Sequence, residues 1–331
     1  MPRLMMAMAG TDDTTAPVDD ILQPFQIEGC AVRGRLARLG PLADEVLGKH
    51  AYPAPVSILL GQCMALTAVL AGALKFDGIF TLQMAGDGPV RTLVTDMTSE
   101  GNLRAYAGFD EERVTEIAAQ AEALAAPVPN LFGKGHLAFT VDQGIDTERY
   151  QAITALEGET VSEMAGYFFR QSEQIDASFH VAAERRGLNG HGAWRSAALM
   201  IQRVPLEGGR DRSAPTAMAT PLEDSVEAWN RARILAASVT DDELTDPDLM
   251  PDRLLYRLFH EDGVRVFSPQ PLAARCRCSR ERVERTLRSL TREGLEEFKV
   301  DGEVIVTCEF CTAEYRYDEP ALEVLFSEER T

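Results

Sequence analysis

Four cysteines fall into two short clusters near the end of the chain: Cys276-Arg277-Cys278 and, after 29 intervening residues, Cys308-Glu309-Phe310-Cys311. Two pairs at chelating spacing fit a tetrahedral all-thiolate site, the usual arrangement of a structural zinc with no open coordination position. A Cys-x-x-Cys alone would carry little weight. Its combination with Cys-x-Cys makes a fortuitous or purely packed cluster the poorer explanation. The spacing folds the chain back on itself between 276 and 311 and predicts a small module over residues 271–331. Its zinc ligands would be Cys276, Cys278, Cys308 and Cys311, with one ion per chain.

The neighbouring residues agree with that chemistry. Ser279 is a good N-cap for a helix carrying Val283, Leu287 and Leu290, whose positive end would face the thiolates. Arg275, Arg277 and Arg280 add positive charge beside a centre that is doubly negative with zinc bound. Gly294 is expected to end this helix, Asp301-Gly302 to make a hairpin turn, and Val304 to Thr307 to deliver Cys308 from a strand. A core this small seldom supplies more than a few kcal/mol, whereas structural zinc contributes on the order of 10 to 16 kcal/mol in metal-folded peptides. Metal loss is therefore expected to unfold the module.

The other two cysteines, Cys30 and Cys63, stand apart from this cluster. A secreted disulfide scaffold would be shorter and would spread its cysteines, so the clustering points to a reducing compartment, with the cytosol as the default. Cys63 lies in an apolar stretch and is expected to be packed as a small hydrophobe. The balance of 45% hydrophobic and 26% charged residues is that of a globular protein. With 52 acidic against 33 basic residues and a net charge of -19, the chain repels phosphate backbones, so no nucleic-acid partner is expected.

Ala51 to Leu74 contains no charged residue, but it holds Pro53, Pro55, Gly61 and Gln62 and lacks a basic flank. A buried core helix from Val56 to Leu74 explains it better than a membrane span. The opening Met1 to Gly10 has an apolar run too short for a signal peptide, so no membrane or export role is expected.

The chain reads as α+β in four parts. Residues 1–24 are expected to be a flexible tail. Residues 25–205 form an antiparallel-sheet domain with helices. It comprises a strand from Phe25 to Leu39, a helix opening at Pro41, the long apolar helix, and a meander through Ile79–Ala85, Val90–Met97 and Leu103–Ala107. A helix over Glu111–Ala125 follows, then strands His136–Val141 and Gln151–Leu156, and a helix capped by Thr160 with Glu163. Phe179–Ala183 and Trp194–Gln202 close the sheet around the loop Gly187–Gly192.

Residues 206–270 make a linker of short helices. Its stretch from Leu206 to Asp262 holds 13 acidic and 6 basic residues. An amphipathic helix is read from Val226, Trp229, Ala232, Ile234, Leu235 and Val239, and a capping box from Thr240 and Glu243. A third helix carries Leu254, Leu255, Leu258 and Phe259. Such short charged helices fold mainly by docking on neighbours.

No enzyme is expected. Gly133-Lys134-Gly135-His136 lacks the full phosphate-loop spacing and reads as a turn, as does Gly86-Asp87-Gly88. The five histidines are scattered, and no nucleophile motif accompanies them. A thioredoxin-like βαβ context for Cys308 and Cys311 is missing. The alternative kept open is a structural zinc-ribbon interaction or transcription-associated protein, which would need a basic face such as the arginine-rich run Arg275–Arg292.

The sequence resembles the bacterial redox-regulated heat-shock chaperones of thirty-three kilodaltons. The likeness rests on Cys276-Arg277-Cys278-Ser279-Arg280-Glu281-Arg282, on Cys308-Glu309-Phe310-Cys311, and on Tyr315-Arg316-Tyr317-Asp318. It extends to Arg33-Gly34-Arg35-Leu36, Tyr52-Pro53-Ala54-Pro55, Leu74-Lys75-Phe76-Asp77-Gly78, Gly86-Asp87-Gly88-Pro89-Val90-Arg91, Leu156-Glu157-Gly158-Glu159-Thr160, Tyr167-Phe168-Phe169-Arg170 and the run Phe259 to Phe267.

The resemblance implies a holdase that works without ATP and prevents aggregation of unfolding client proteins under oxidative and heat stress. Reduced and zinc-bound, it would be monomeric and inactive. Oxidised, it would release zinc, form the disulfides Cys276 with Cys278 and Cys308 with Cys311, unfold the linker and act as a homodimer. The tail, the Gly and Pro rich stretch from Gly208 to Pro221, and the extra Cys30 and Cys63 depart from the family pattern.

Overall fold

The computed structural model describes residues 19–120, 127–144, 147–173, 175–187, 192–204 and 222–327. The expected tail up to residue 18, the loop at 188–191 and the Gly and Pro rich stretch lie outside them. Two strands, β1 (Ile21–Ile27) and β2 (Val32–Leu39), form an antiparallel hairpin where one strand from Phe25 was expected. The turn between them contains Gly29 but no Asn-Gly or Asp-Gly pair, so the break leaves little mark in the sequence. The strand also begins at Ile21, inside the stretch expected to be tail.

Helix α1 (Pro41–Gly48) opens with its proline, and α2 (Ala54–Ala71) is the long apolar helix. From Pro55 to Ala71, α2 is buried at every residue except Gln62. A helix apolar on all sides needs protein on all sides. By length and composition α2 could cross a membrane, but here two sheets enclose it.

The second sheet is the meander of β3 (Ile79–Gly86), β4 (Val90–Thr98) and β5 (Asn102–Phe109). After α3 (Glu111–Gln120) and α4 (Val128–Phe132), it is extended by β6 (Gly135–Asp142) and β7 (Tyr150–Ala155) in the order β5-β4-β3-β6-β7. Helix α5 (Val161–Phe168) starts at the expected capping box, with the Thr160 hydroxyl accepting from the Glu163 N–H, and runs into a π-helical turn at Phe169–Glu173. Strands β8 (Ala177–Arg186) and β9 (Ala193–Arg203) then complete the first sheet in the order β1-β2-β9-β8.

Both faces of the first sheet are covered. Ala198 and Met200 of β9 join the core around α2, while Ala197, Leu199 and Ile201 join a second core on the opposite face. That is why Ala197 to Ile201 reads as one apolar run without alternation. The cover of the second face is α6 (Leu222–Ala237), α7 (Asp241–Thr245) and α8 (Pro251–Phe259). In α6 the buried stripe is Ala228, Trp229, Ala232 and Ala236, while Val226 and Ile234 point outward. Trp229 and Ala232 of the expected face are buried, and helix geometry adds Ala228 and Ala236, spaced four residues from Ala232, in place of Val226 and Ile234. Gly34 is required at this face: a Cβ there would lie 2.0 Å from the Phe25 ring of the paired strand. The freed ring stacks on Phe259 of α8 at 5.7 Å between centroids.

Three short strands follow: β10 (Val264–Val266), β11 (Gln270–Pro271) and β12 (Ala273–Ala274). The first two pair antiparallel with β1, and β12 pairs in parallel with β5. The chain thus passes from one sheet to the other immediately before Cys276. The C-terminal module holds α9 (Arg280–Arg288), α10 (Arg292–Glu296), the sheet β13 (Lys299–Val300), β14 (Glu303–Thr307) and β15 (Glu314–Tyr317), and α11 (Glu319–Ser327). Gly294 does not end α9. The helix stops at Arg288, and Gly294 lies in α10, where its N–H donates to the Thr291 hydroxyl that caps the new turn. Leu290 lies beyond the helix and is exposed.

Candidate metal centre

The four sulfurs arrive from two loops. Cys276 and Cys278 follow β12, and the Ser279 hydroxyl caps α9 by accepting from the Arg282 N–H at 3.3 Å. Asp301 and Gly302 take positive φ of 51° and 84° in the hairpin turn between β13 and β14, and β14 delivers Cys308. The knuckle that follows is closed by two backbone bonds, Cys308 N–H to the Ala313 carbonyl and Thr312 N–H to the Cys308 carbonyl, at 2.9 and 2.8 Å.

Across the clusters, Sγ of Cys276 lies 3.7 Å from Sγ of Cys308, and Sγ of Cys278 lies 3.3 Å from Sγ of Cys311. All four sulfurs are within 4.8 Å of one another. A tetrahedron of zinc–sulfur bonds about 2.3 Å long has edges of roughly 3.8 Å, so the four-thiol set fits a divalent metal of that preference. The backbone N–H of Cys278 points at Cys276 Sγ at 3.5 Å. The Cys278 sulfur lies near the Tyr315 hydroxyl and raises its pKa.

Burial opposes ionisation of Cys276, yet the Cys278 N–H, the thiols of Cys278 and Cys311 and the Arg104 guanidinium together bring it down to about 7. Burial and the neighbouring sulfurs push Cys311 the other way, up to about 12. One thiolate therefore forms readily and its charge resists the next. A divalent cation removes that resistance, because each bound thiolate then faces positive charge.

The cluster is anchored to the second sheet by residues of β4 and β5 that the sequence did not single out. Buried Asp96 of β4 accepts from Arg104 Nε of β5 at 2.9 Å and from Arg277 of the Cys-x-Cys loop at 2.8 Å. The Arg104 guanidinium stacks over the Phe310 ring at 3.8 Å and reaches Cys276 Sγ at 4.0 Å. Tyr106 meets Phe310 at 6.0 Å between centroids. Only the alternation of charged and aromatic residues along β5, Arg104 and Tyr106 on the same face, hinted at this surface.

The arginines of α9 are largely exposed, and several of them are held by neighbouring groups of the module. Arg280 pairs with Glu284, Arg282 donates to the Arg277 carbonyl, Arg288 donates to the Leu325 carbonyl, and Arg292 just beyond the helix pairs with Glu319. Cys63 is buried beside the Met84 thioether at 3.6 Å, and Cys30 is half-buried near Asp262. Neither cysteine is in the metal-ligating group.

The model of the family described as Hsp33 protein matches residues 20–318. A 33 kDa chaperonin of Caulobacter vibrioides is 39% identical over 308 residues, covering 92% of this chain and 97% of that protein. One from Pseudomonas syringae pv. tomato is 36% identical over 315 residues, covering 94% and 95%. The crystal structure of the 33 kDa chaperonin, a heat shock protein 33 homolog, from Thermotoga maritima superposes with a TM-score of 0.71 at 21% identity, covering 94% of this chain and 99% of that one. With the family's span running from β1 to β15 and the four thiols gathered at one point, the chain belongs to the Hsp33 family of 33 kDa chaperones.

Proposed function

We propose that this chain is an oxidation-switched holdase: a binding protein, not an enzyme, that captures unfolding clients without ATP in the cytosol. The observation that carries the reading is the junction at residues 264–275. A single short segment pairs with β1, crosses to β5 and enters the four-thiol cluster at Cys276.

In the reduced state Cys276, Cys278, Cys308 and Cys311 hold one zinc. Bound zinc ties up the four thiolates and supplies the binding energy that folds a module whose own core is small. That core consists of Leu287, Leu295, Val304, Tyr317, Leu322 and Leu325. Peroxide would join Cys276 to Cys278 and Cys308 to Cys311. Each disulfide takes two thiols and one peroxide and yields two waters, and a disulfide sulfur no longer serves as a thiolate ligand.

The loosened module would release β12 from β5, then β10 and β11 from β1. The linker helices α6 to α8 sit on the first sheet through a second core that they share with it and through arginine–carbonyl contacts. Their departure would uncover Phe25, Ile27, Val32, Leu36, Leu199 and Ile201 on one sheet face. Burial of each such side chain is worth about 1.5 to 3 kcal/mol, so the bared face would bind apolar segments of unfolding proteins or a second copy, giving the active homodimer.

The test measures zinc, free thiols and suppression of client aggregation on the same samples before and after peroxide. Loss of about one zinc and about four thiols per chain, with suppression appearing only afterwards, supports the switch. Zinc that stays bound, or suppression indifferent to oxidation, leaves the cluster purely structural.

A further inference from the structure

Beside the cysteine cluster, with Glu309 of the knuckle in its wall, lies an open cavity of about 420 Å3 that the switch does not use. Its walls come from three separate stretches. His50 and Tyr52 come from the segment between α1 and α2, Tyr106 and Phe109 from β5, Glu111 from the start of α3, and Glu309 from the knuckle between Cys308 and Cys311. The rings form a continuous array: Tyr106 to His50 at 6.5 Å, His50 stacked on Tyr52 at 4.7 Å, and Tyr52 to Phe109 at 5.8 Å.

Two carboxylates and no lysine or arginine line the cavity. Burial first, and then the neighbouring Glu309 carboxylate, raise the pKa of the Tyr106 hydroxyl, which places the acid beside the ring. The Tyr52 hydroxyl oxygen accepts from the Ala107 N–H at 3.2 Å, which ties the ring to β5. Nε2 of His50 is buried with no hydrogen-bond partner among the described residues. Aromatic faces carry negative electrostatic potential, and several of them converging with carboxylates is the chemistry that recognises a cation with an apolar surface. A hard metal ion would want more oxygens than this cavity offers, and an anion would meet two carboxylates.

We propose that this cavity is a binding site for an organic cation, a quaternary ammonium or alkylated ammonium group, shared between the N-terminal domain and the C-terminal module. It goes beyond the redox switch and stands on different residues. The cation could reach the site free in solution or on a side chain of another protein, and the chemistry of the pocket is the same for both.

The test titrates the reduced full-length protein with tetramethylammonium chloride against sodium chloride at matched ionic strength, reading saturation transfer to the N-methyl protons. Tert-butanol, of similar shape but neutral, is the control. Saturable binding is expected for the cation and at least about tenfold weaker binding for the alcohol, since ring attraction acts on charge. Glu111→Gln and Glu309→Gln should each weaken the cation about threefold to fivefold, and Tyr106→Leu should abolish binding. Glu111→Gln, remote from the cysteines, keeps the test valid if a Glu309 or Tyr106 variant disturbs the module. Equal binding of tert-butanol, unsaturable signal, or wild-type affinity in the carboxylate variants overturns the proposal. Comparing choline with a peptide carrying trimethyl-lysine assigns the source: tighter binding of the peptide supports a protein-borne cation, tighter binding of choline a free one.

Discussion

The guanidinium of Arg104 sits over the ring of Phe310, 3.8 Å from its centroid, while its Nε donates to Asp96 at 2.9 Å. One side chain from the middle of the N-terminal domain thus touches both the aromatic residue inside the Cys308–Cys311 knuckle and the carboxylate that holds Arg277. A cation over a ring is worth about 0.5 to 2 kcal/mol, more as water is excluded.

Phe310→Ala removes that ring without touching a sulfur. Zinc content should stay as in the parent, while the module detaches more often from β5. Peroxide should then consume the thiols about fivefold faster, the equivalent of roughly 1 kcal/mol of lost docking. Thiol titration against time measures it. Zinc loss in the untreated variant would show instead that Phe310 supports the cluster itself.

Asp96→Asn acts on the same face more severely. It leaves Arg104 and Arg277 partly buried without an ionised partner, and breaking such an arrangement typically costs about 3 to 5 kcal/mol. A lowered melting temperature of the reduced protein is expected, with hydrogen exchange quickened in β12 and β5. An unchanged melting curve would place the Asp96 network among the energetically neutral ones.

Arg38 is fully buried under the linker, where burial lowers its pKa to about 10 and its guanidinium donates to the carbonyls of Asp246 and Leu249. Arg38→Met should orphan those carbonyls and loosen residues 241–259 by about 1 to 3 kcal/mol. If the linker is the switch, the variant should suppress client aggregation partly without peroxide. Protection of 241–259 equal to that of the parent would refute the role.

Cys63 and Cys30 should behave as bystanders. Burial pushes the Cys63 thiol far up and the Cys30 thiol up to about 11, so at neutral pH neither is an effective nucleophile. Alkylation of the native reduced protein followed by mass spectrometry should leave Cys63 unmodified and Cys30 slow. Cys63→Ala should keep both zinc content and peroxide response. Rapid modification of Cys63 in the folded chain would contradict its burial.

A chelator under reducing conditions separates metal from oxidation. Residues 276–327 should lose protection while β3 to β6 keep theirs, because the module's core is too small to stand alone. Protease sensitivity of the two regions gives the readout.

Much of this architecture is legible residue by residue. The uncharged stretch before Leu74 marks α2 because only full enclosure tolerates it. Thr160 with Glu163 and Thr240 with Glu243 mark helix starts because the reciprocal bonds need that spacing, and both capping boxes are present. The four cysteines mark a common point because sulfur ligation brings distant chain together. What was not legible depends on pairs without local pattern. Asp96 and Arg277 are 181 residues apart, and no periodicity announces that they meet. The break at Glu28 to Ala31 is hidden because its backbone uses no turn dipeptide, and the stripe of α6 is legible at Trp229 and Ala232 but hidden at Ala228 and Ala236, where alanine carries little hydrophobic signal.

The passage of Val264 to Arg275 along β1 and then β5 also has a bearing on how the protein is made. Strand β1 is among the first structured segments to be synthesised, yet its outer neighbours β10 and β11 are encoded some 240 residues later. On a growing chain the edge of Ile21–Ile27 stays open until the last quarter has been translated. An open apolar edge invites pairing with other strands. A protein of the chaperone family is thus itself a late-closing client during its own synthesis, finished by the same segment that enters the cysteine cluster.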